Sequence, residues 1–251
     1  MRVHLSEAVR KKVPVGPVPR QLYSRSRTLL NSWMLQQRLR AFEREVRMGI
    51  GTAPSPALAE DLRLAGANCG WSTRAGFLVT MVDWFGKTSG SVVECGSGLS
   101  TLLLAALAAH TGRHVLTLEH DPNWAERVRR AIPKRLQSAL EIALAPLRTY
   151  GDFDWYSLKG LTPAAPIGLV VCDGPPGSTR GGRYGLGPVL GPMLAQGCVV
   201  LVDDTHRAAD RSAVERWREE LGARVLDELG THCVIQVGSE QKAAAAFRVA
   251  A

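Results

Sequence analysis

An alternation of strand-like and helix-like segments from residue 91 onward constrains the fold of this chain more than any other feature. The strand-like runs are short and apolar, and the segments between them carry apolar residues at helical spacing. The strand-like runs are SVVECG, VLTLEH, LEIALA, GLVVCD and CVVLVDD, and the helix-like segments cover residues 101–111, 123–132, 183–196 and 207–221. Such an alternation predicts a parallel sheet covered by helices on both faces.

The end of this region departs from the alternation. The segment ARVLDELGTHCVIQVG contains two strand-like runs joined through Leu229 and Gly230, with no room for a crossover helix. It therefore predicts one antiparallel strand. The expected fold is α/β: a Rossmann-like, doubly wound, mostly parallel seven-stranded sheet with an antiparallel C-terminal strand and an N-terminal helical extension.

The positive charge of the chain is concentrated before residue 50. The chain has 31 Lys and Arg and 23 Asp and Glu, a net charge of 31 − 23 = +8, and residues 1–50 alone account for eleven basic and three acidic residues, 11 − 3 = +8. The remainder is neutral, so this balance does not predict nucleic-acid binding by the whole protein. We expect a basic arm at 1–55, a body at 56–238 and a poorly ordered tail at 239–251.

Within the arm, residues 26–48 are predicted to form an amphipathic helix. Its apolar residues recur at broadly helical spacing: Leu29, Leu30, Trp33, Met34, Leu39, Phe42 and Val46. One interpretation is a helix that packs its apolar face on the body and keeps its basic face in water. The other is contact with an anionic membrane or a partner chain, including a second copy of this one.

Composition argues against several classes of protein. Hydrophobic residues make up 45% of the 251 residues, enough for a sizeable core. The longest apolar stretch, residues 102–109, is far shorter than the roughly 20 residues of a membrane-spanning helix, and the charged first residues do not resemble an export signal. The five cysteines form no CxxC pair. We therefore expect a cytoplasmic protein with reduced cysteines.

The first strand runs directly into the glycine-containing segment ECGSGLST, residues 94–101. Glycines at this point let the backbone pass close to a bound ligand. A dinucleotide-binding turn would carry a third Gly or Ala near position 101, where this chain has Thr101. The carboxylate of Glu94 suits a cationic ligand and would repel a diphosphate. A glycine turn alone has a steric explanation as often as a functional one.

A second acid makes the pattern more specific. Glu119 ends the second strand, 119 − 98 = 21 residues after Gly98, where a carboxylate can accept both hydroxyls of a ribose. The combination resembles the first motif of class I S-adenosylmethionine-dependent methyltransferases. The resemblance implies that Glu94 and the glycine turn accommodate the methionine part of the cofactor and that Glu119 binds its ribose.

Three aspartates follow the next two parallel strands: Asp173 ends the run GLVVCD, and Asp203 and Asp204 end CVVLVDD. Since ligands bind at the carboxyl ends of parallel strands, we expect the three to converge beside the cofactor. Three carboxylates so close repel one another unless something positive lies between them, and Mg²⁺ would satisfy them and activate a substrate hydroxyl. Alternatively, Asp173 contacts cofactor or loop backbone while the pair caps the following helix.

This arrangement resembles metal-dependent O-methyltransferases of the catechol and sugar-modifying kinds. The segments LEHDPNW, APLRTYGDFDWY, CDGPPG and VVLVDDTHR are similar to bacterial class I methyltransferases with a DGPPG motif, over about residues 70–238. The chain departs from the catechol type at Pro176, where a catalytic lysine would lie. A lysine base is therefore not expected.

The resemblance implies the following site residues. Cofactor contacts are expected from Glu94, Gly96, Ser97, Gly98, Ser100, Thr101, Glu119, His120, Asp152, Trp155 and Asp173; metal ligation from Asp173, Asp203 and Asp204; and proton transfer from Asp173 and His206, the histidine alternatively being a metal ligand or a solvated loop residue. Asp152, Trp155 and Tyr156 would surround the adenine, or the two aromatic residues fill the core. Trp71, Ser72 and Thr73 would close over the methionine carboxylate, or cap the helix that follows.

The sequence therefore predicts an S-adenosylmethionine-dependent methyltransferase that transfers a methyl group to a hydroxyl of a small molecule or sugar with divalent-metal assistance. One alternative is a metal-independent N- or carboxyl-methyltransferase in which the aspartates bind the acceptor directly. Another is a noncatalytic S-adenosylmethionine-binding protein that acts on a partner through its basic arm. The expected partner is a small hydroxylated acceptor rather than a nucleic acid.

Overall fold

The computed structural model describes residues 20–49, 54–68, 73–164 and 166–238. The first part of the basic arm, Trp71 and Ser72, and the tail at 239–251 lie outside the described residues. The helices are α1 Arg20–Met48, α2 Pro56–Asn68, α3 Ala75–Lys87, α4 Leu99–Thr111, α5 Pro122–Ala131, α6 Leu186–Leu190 and α7 Ala208–Glu220. The strands are β1 Ser91–Cys95, β2 Val115–Glu119, β3 Glu141–Leu144, β4 Leu147–Tyr150, β5 Phe153–Tyr156, β6 Ile167–Cys172, β7 Leu194–Asp203, β8 Arg224–Glu228 and β9 His232–Gln236.

The main sheet has the strand order β3-β2-β1-β6-β7-β9-β8. Its first five strands pair in parallel, and β9 pairs antiparallel to both β7 and β8. The predicted fold, a mostly parallel seven-stranded sheet with an antiparallel C-terminal strand, is confirmed for the described residues. Strand order reverses at β1, which lies between β2 and β6, and ligands bind at such a switch point in open α/β sheets.

The core lies on both faces of this sheet because successive residues of a strand point to opposite sides. Val92 of β1 packs with helices α1 to α5, whereas the next residue, Val93, packs with α6, α7 and β5. All five residues of β1 and of β2 are buried. This two-sided burial explains why consecutive residues such as Val92 and Val93 are both apolar, instead of alternating with exposed polar residues.

Helix α1 packs against the body through its C-terminal half. Its buried side chains are Leu35, Leu39, Phe42 and Val46, which lie in the same apolar cluster as residues of α2 and α4. Leu30 and Trp33, predicted to lie on the same apolar face, are instead 55% and 59% exposed. In the part of the chain that is described, the helices include none with the length and apolar content needed to cross a membrane.

Three local predictions differ from the structure. Residues 147–156 form an antiparallel hairpin, β4 and β5, outside the main sheet. The helix predicted at 183–196 is reduced to α6 and a short 3-10 turn, because Pro192 lacks the N–H that a longer helix needs, and β7 already begins at Leu194. The residue that caps α3 is Arg74, without a side-chain hydrogen bond, rather than Thr73.

Candidate functional site

A cleft of about 330 Å³ opens at the carboxyl ends of β1, β2 and β6. This volume lies within the usual range of small-molecule sites, roughly 300 to 1,000 Å³. The residues that line the cleft are Gly96, Ser97, Glu119, His120, Asp121, Trp124, Tyr156, Asp173, Gly174 and Pro176. Glu119 and Asp173, which follow different strands, thus meet the glycine turn at one place, the switch point of the sheet.

The glycine turn brings two loops into direct contact. Gly96 has a φ of +86°, which favours glycine, and a Cβ there would lie 3.1 Å from the Cα of Gly174 in the loop after β6. The backbone N–H of Gly98 donates to Thr101 Oγ1 over 2.8 Å, and that hydroxyl donates to Glu94 Oε2 over 2.8 Å. Thr101 therefore holds the turn through hydrogen bonds at the position where a dinucleotide-binding turn has a small residue.

Glu94 lies behind the turn rather than on the cleft wall. Its side chain is completely buried and accepts hydrogen bonds from Thr101 and Thr117, each at 2.8 Å. Burial raises the pKa of Glu94 to about 7. Ser100 and Thr101 are also buried, at the start of α4. A direct contact of these residues with a cofactor stays a prediction, and the described geometry gives Glu94 an indirect role through Thr101.

Glu119 forms one wall of the cleft and holds both neighbouring loops. Its Oε2 accepts from the backbone N–H of Ser97 at 3.0 Å and from the Ser97 hydroxyl at 2.7 Å. Its Oε1 accepts from the N–H groups of His120 at 2.8 Å and Asp121 at 3.0 Å. Three of these four donors are backbone N–H groups, and the fourth is the rotatable hydroxyl of Ser97.

Aromatic rings form the remaining walls of the cleft. Trp124 Nε1 donates to the carbonyl of Ser97 over 2.8 Å, so this indole lies against the glycine turn. The rings of His120 and Tyr156 meet edge to face, with centroids 6.3 Å apart. The hydroxyl of Tyr156 is buried and has no hydrogen-bond partner among the described residues. A buried polar group without a partner indicates that a ligand or water completes this cleft.

Trp124 is a cleft residue to which sequence reasoning assigned no role, although the segment LEHDPNW carried a signal. Asp121 caps α5 by accepting from the N–H groups of Asn123 at 2.8 Å and Trp124 at 3.1 Å. Pro122 occupies the first turn, where its missing N–H costs nothing. The cap fixes where α5 begins and therefore the position of Trp124 beside the turn.

Two predicted cofactor residues do not line the cleft. Asp152 is exposed at the turn between β4 and β5. Trp155 is completely buried in the core and lies so close to Gly185 that a Cβ there would be 2.7 Å from the indole. Trp155 therefore fills the core, which was the alternative interpretation, and its neighbour Tyr156 is the aromatic residue that reaches the cleft.

The three aspartates converge beside the cleft, as the parallel strands predict. Carboxylate oxygens of Asp173, Asp203 and Asp204 lie within 4.8 Å of one another. Asp204 has a φ of 60°, a conformation that Asp tolerates better than most residues. His206 is exposed on the turn that follows. Among the described residues, the group that could hold a metal ion consists of the three aspartates and does not include His206.

Arginines, which the sequence analysis did not consider, surround this acidic cluster. Arg183, whose side chain is only 2% exposed, donates to Asp173 Oδ1 and Asp204 Oδ2, each at 3.1 Å. Arg74 lies 3.0 Å from Asp204 Oδ1, and Arg207 lies 2.7 Å from Asp204 Oδ2. The positive charge that the three carboxylates require is therefore supplied, at least in part, by the protein itself.

The surroundings shift the pKa values of the three carboxylates in different directions. Burial, and then the neighbouring Asp203 carboxylate, raise the pKa of Asp173 to about 7. Burial also raises the pKa of Asp203. Burial opposes the charge of Asp204, but Arg74, Arg183 and Arg207 outweigh it and lower the pKa of that group. Asp173, which also lines the cleft, thus has a pKa near neutral pH.

Comparison with known proteins agrees with this architecture. Residues 93–205, a little under half of the chain, match the sequence model of a family described as a methyltransferase domain. This match confirms the predicted resemblance to methyltransferases over this segment. No curated protein matches the sequence.

Two solved structures are similar to this chain. A caffeoyl-CoA O-methyltransferase candidate from Staphylococcus aureus is similar with a TM-score of 0.52 at 12% identity, over 72% of this chain and 92% of that chain. An O-methyltransferase from Bacillus cereus, in complex with SAH, has a TM-score of 0.49 at 17% identity, over 79% of this chain and 97% of that chain. The first of these shares the fold; neither identifies the acceptor.

Proposed function

We propose that this protein binds S-adenosylmethionine in the cleft at the switch point and transfers its methyl group to a hydroxyl of a small molecule or sugar. The observation that carries the proposal is the composition of the cleft wall. Among the described residues, the wall contains the acids Glu119, Asp121 and Asp173 and neither Lys nor Arg. Such a wall suits a cationic amino-sulfonium ligand and disfavours a diphosphate.

The cleft residues fit the parts of this cofactor. Glu119 offers carboxylate oxygens to ribose hydroxyls. His120, Trp124 and Tyr156 offer aromatic surface to an adenine, and the unpartnered Tyr156 hydroxyl offers one polar contact. When bound, S-adenosylmethionine supplies a methyl group on a sulfonium, so the protein contributes alignment and proton transfer.

Asp173 is the proposed proton acceptor. It is the one residue that both lines the cleft and belongs to the acidic cluster, among the residues described. A pKa raised to about 7 is suitable for a general base near neutral pH. Asp173 would take the proton of the acceptor hydroxyl as that oxygen becomes methylated. His206, the other predicted catalytic residue, is exposed on the next turn and remains a secondary candidate.

One observation supports magnesium binding by the three aspartates, and another opposes it. The spacing of the three carboxylates, with oxygens within 4.8 Å, would allow them to share an ion. However, Arg74, Arg183 and Arg207 already pair with Oδ1 of Asp173, Oδ1 of Asp203 and both oxygens of Asp204. As arranged, these residues do not fit a bound Mg²⁺, so no step of the proposed reaction depends on one.

The arginine contacts are equally compatible with a second candidate, a metal-independent methyltransferase in which the aspartates orient the acceptor. This candidate differs from the first in the acceptor atom, a nitrogen or carboxylate instead of a hydroxyl. We propose, as before, a basic arm at 1–55 and a catalytic body at 56–238, because every residue that lines the cleft lies in the body, although α1 packs against it.

Calorimetry with S-adenosylhomocysteine, followed by transfer of a labelled methyl group to a panel of hydroxyl, amine and carboxylate acceptors, tests the proposed function. We expect binding at one site and turnover with a hydroxylated acceptor. Turnover restricted to amines or carboxylates would favour the second candidate. Binding without turnover on any acceptor would favour a noncatalytic role, and absence of binding would overturn the proposal.

A further inference from the structure

The acidic cluster contains more negative charge than the three predicted carboxylates. Asp210, at the start of α7, is buried and lies 3.6 Å from the Nε of Arg183. Four carboxylates therefore gather around one buried guanidinium. Buried charges are stable only when they are paired and hydrogen-bonded, so the cation at the centre of this group determines whether the cluster can form at all.

Arg183 is fixed at that centre by contacts on several sides. One terminal nitrogen donates to both Asp173 and Asp204 at 3.1 Å, the other donates to the backbone carbonyl of Asp203, and Nε faces Asp210. The planar guanidinium presents several donors in a rigid fork, which a lysine or a hydrated ion does not reproduce. With a side chain only 2% exposed, Arg183 cannot leave without uncovering these groups.

Four carboxylate oxygens of Asp173, Asp203 and Asp204 already have donors in this cluster. Both oxygens of Asp204 accept from arginine, Oδ1 from Arg74 at 3.0 Å and Oδ2 from Arg183 at 3.1 Å. Asp203 Oδ1 accepts from the N–H of Asp204 at 2.8 Å. A divalent ion ligated by Asp173 and Asp204 would approach the guanidinium that bridges them, and Mg²⁺ gives up its water reluctantly even without such repulsion.

We propose that Arg183 occupies the place of the metal ion in this cluster, so that the protein uses an internal guanidinium, and no divalent cation, to hold Asp173 beside the cleft. Arg183 is a positioning residue: it acts through Asp173 and Asp204 and does not line the cleft. The inference deepens the proposed function, on which the role of Asp173 rests. The statement about the metal stands on the cluster alone and is tested without turnover.

The test is Mn²⁺ binding to the full chain, followed by electron paramagnetic resonance, with S-adenosylhomocysteine affinity measured in parallel. We expect wild type to show no stoichiometric Mn²⁺ site at millimolar concentrations. Arg183→Gln removes the guanidinium, and we expect it to gain one Mn²⁺ site, with affinity roughly tenfold or more above wild type. Arg183→Lys keeps a positive charge and is expected to exclude Mn²⁺ as wild type does.

Arg180→Gln is the matched control, because Arg180 is in the same loop, is half exposed and pairs with Asp154 at 3.0 Å, outside the cluster. It should behave as wild type. The gained site should disappear again in Arg183→Gln with Asp204→Asn, which removes a ligand.

A stoichiometric Mn²⁺ site in wild type that is lost in Asp204→Asn would overturn the proposal and restore the predicted metal centre, and this result needs no Arg183 variant to fold. A folded Arg183→Gln protein without a new site would show that Arg183 is not what excludes the ion. If wild type does not bind S-adenosylhomocysteine, the proposed function is overturned, whatever the Mn²⁺ result.

Discussion

Replacement of Glu119 by alanine tests the cofactor site most directly. Glu119 is the cleft acid expected to bind the ribose, and a charge-assisted bidentate contact contributes roughly 1.5 to 3 kcal/mol. Since about 1.4 kcal/mol corresponds to tenfold in affinity, Glu119→Ala should weaken S-adenosylhomocysteine binding by about tenfold to a hundredfold. The same side chain also holds Ser97, His120 and Asp121, so loosening of both loops acts in the same direction.

Two further variants separate these effects in isothermal titration calorimetry. Glu119→Gln keeps one carbonyl oxygen as acceptor and should lose less affinity than alanine. Glu126→Ala, at a half-exposed position on α5 that pairs with Arg130 and does not line the cleft, should bind as wild type. Unchanged affinity in a folded Glu119→Ala protein would refute the assignment of this cleft to the cofactor.

Four other outcomes are expected. Because the pKa of Asp173 is raised to about 7, kcat/KM should fall as pH drops through that value. Asp173→Asn should lower kcat by roughly a hundredfold or more. A rate independent of pH between about 5.5 and 8 would contradict the role of Asp173 as the base. Glu94 has a folded pKa of about 7 against an ordinary 4.5, so the native state binds its proton more tightly and loses stability as pH rises between these values. Urea unfolding should therefore find Glu94→Gln more stable than wild type at about pH 8, by at most roughly 3 kcal/mol, with the advantage gone below about pH 4.5. Trp155→Ala should reduce the free energy of unfolding by roughly 3 to 5 kcal/mol, as loss of a large core side chain does; an unchanged unfolding midpoint would show that the indole is not a core residue. Deletion of residues 1–24 should leave S-adenosylhomocysteine affinity unchanged in calorimetry, since the first buried side chain described in α1 is Leu35. A truncated protein that folds but does not bind would show that the arm contributes to the cofactor site.

The sheet was predictable because its strands are buried on both faces. In a strand such as β1, all five residues are buried, so apolar residues occupy successive positions on both faces. The helix that follows must be long enough to cross back over the sheet. The hairpin of β4 and β5 was not predicted, because exposed strands such as β4 lack this pattern. Helix α6 was overestimated because local spacing does not reveal how early β7 begins to pair with β6.

The parts of the site that follow from topology were likewise predictable. Gly96, Glu119 and Asp173 each end or follow a parallel strand, and neighbouring strands must bring them to one edge of the sheet. Trp155 and Tyr156 could not be separated in this way, since both are aromatic and adjacent. Only the direction of each side chain, into the core or into the cleft, distinguishes them.

The sequence by itself determined the sheet, the glycine turn and the convergence of Asp173, Asp203 and Asp204, because these depend on strand order and on strand ends. It also established that the three carboxylates need a positive charge. Only the tertiary structure decided where that charge comes from. Arg183 begins a segment whose spacing predicted a helix, and that pattern does not show which groups its side chain meets. It reaches the cluster because the folded chain buries its side chain beside carboxylates that would be unfavourable without a positive partner.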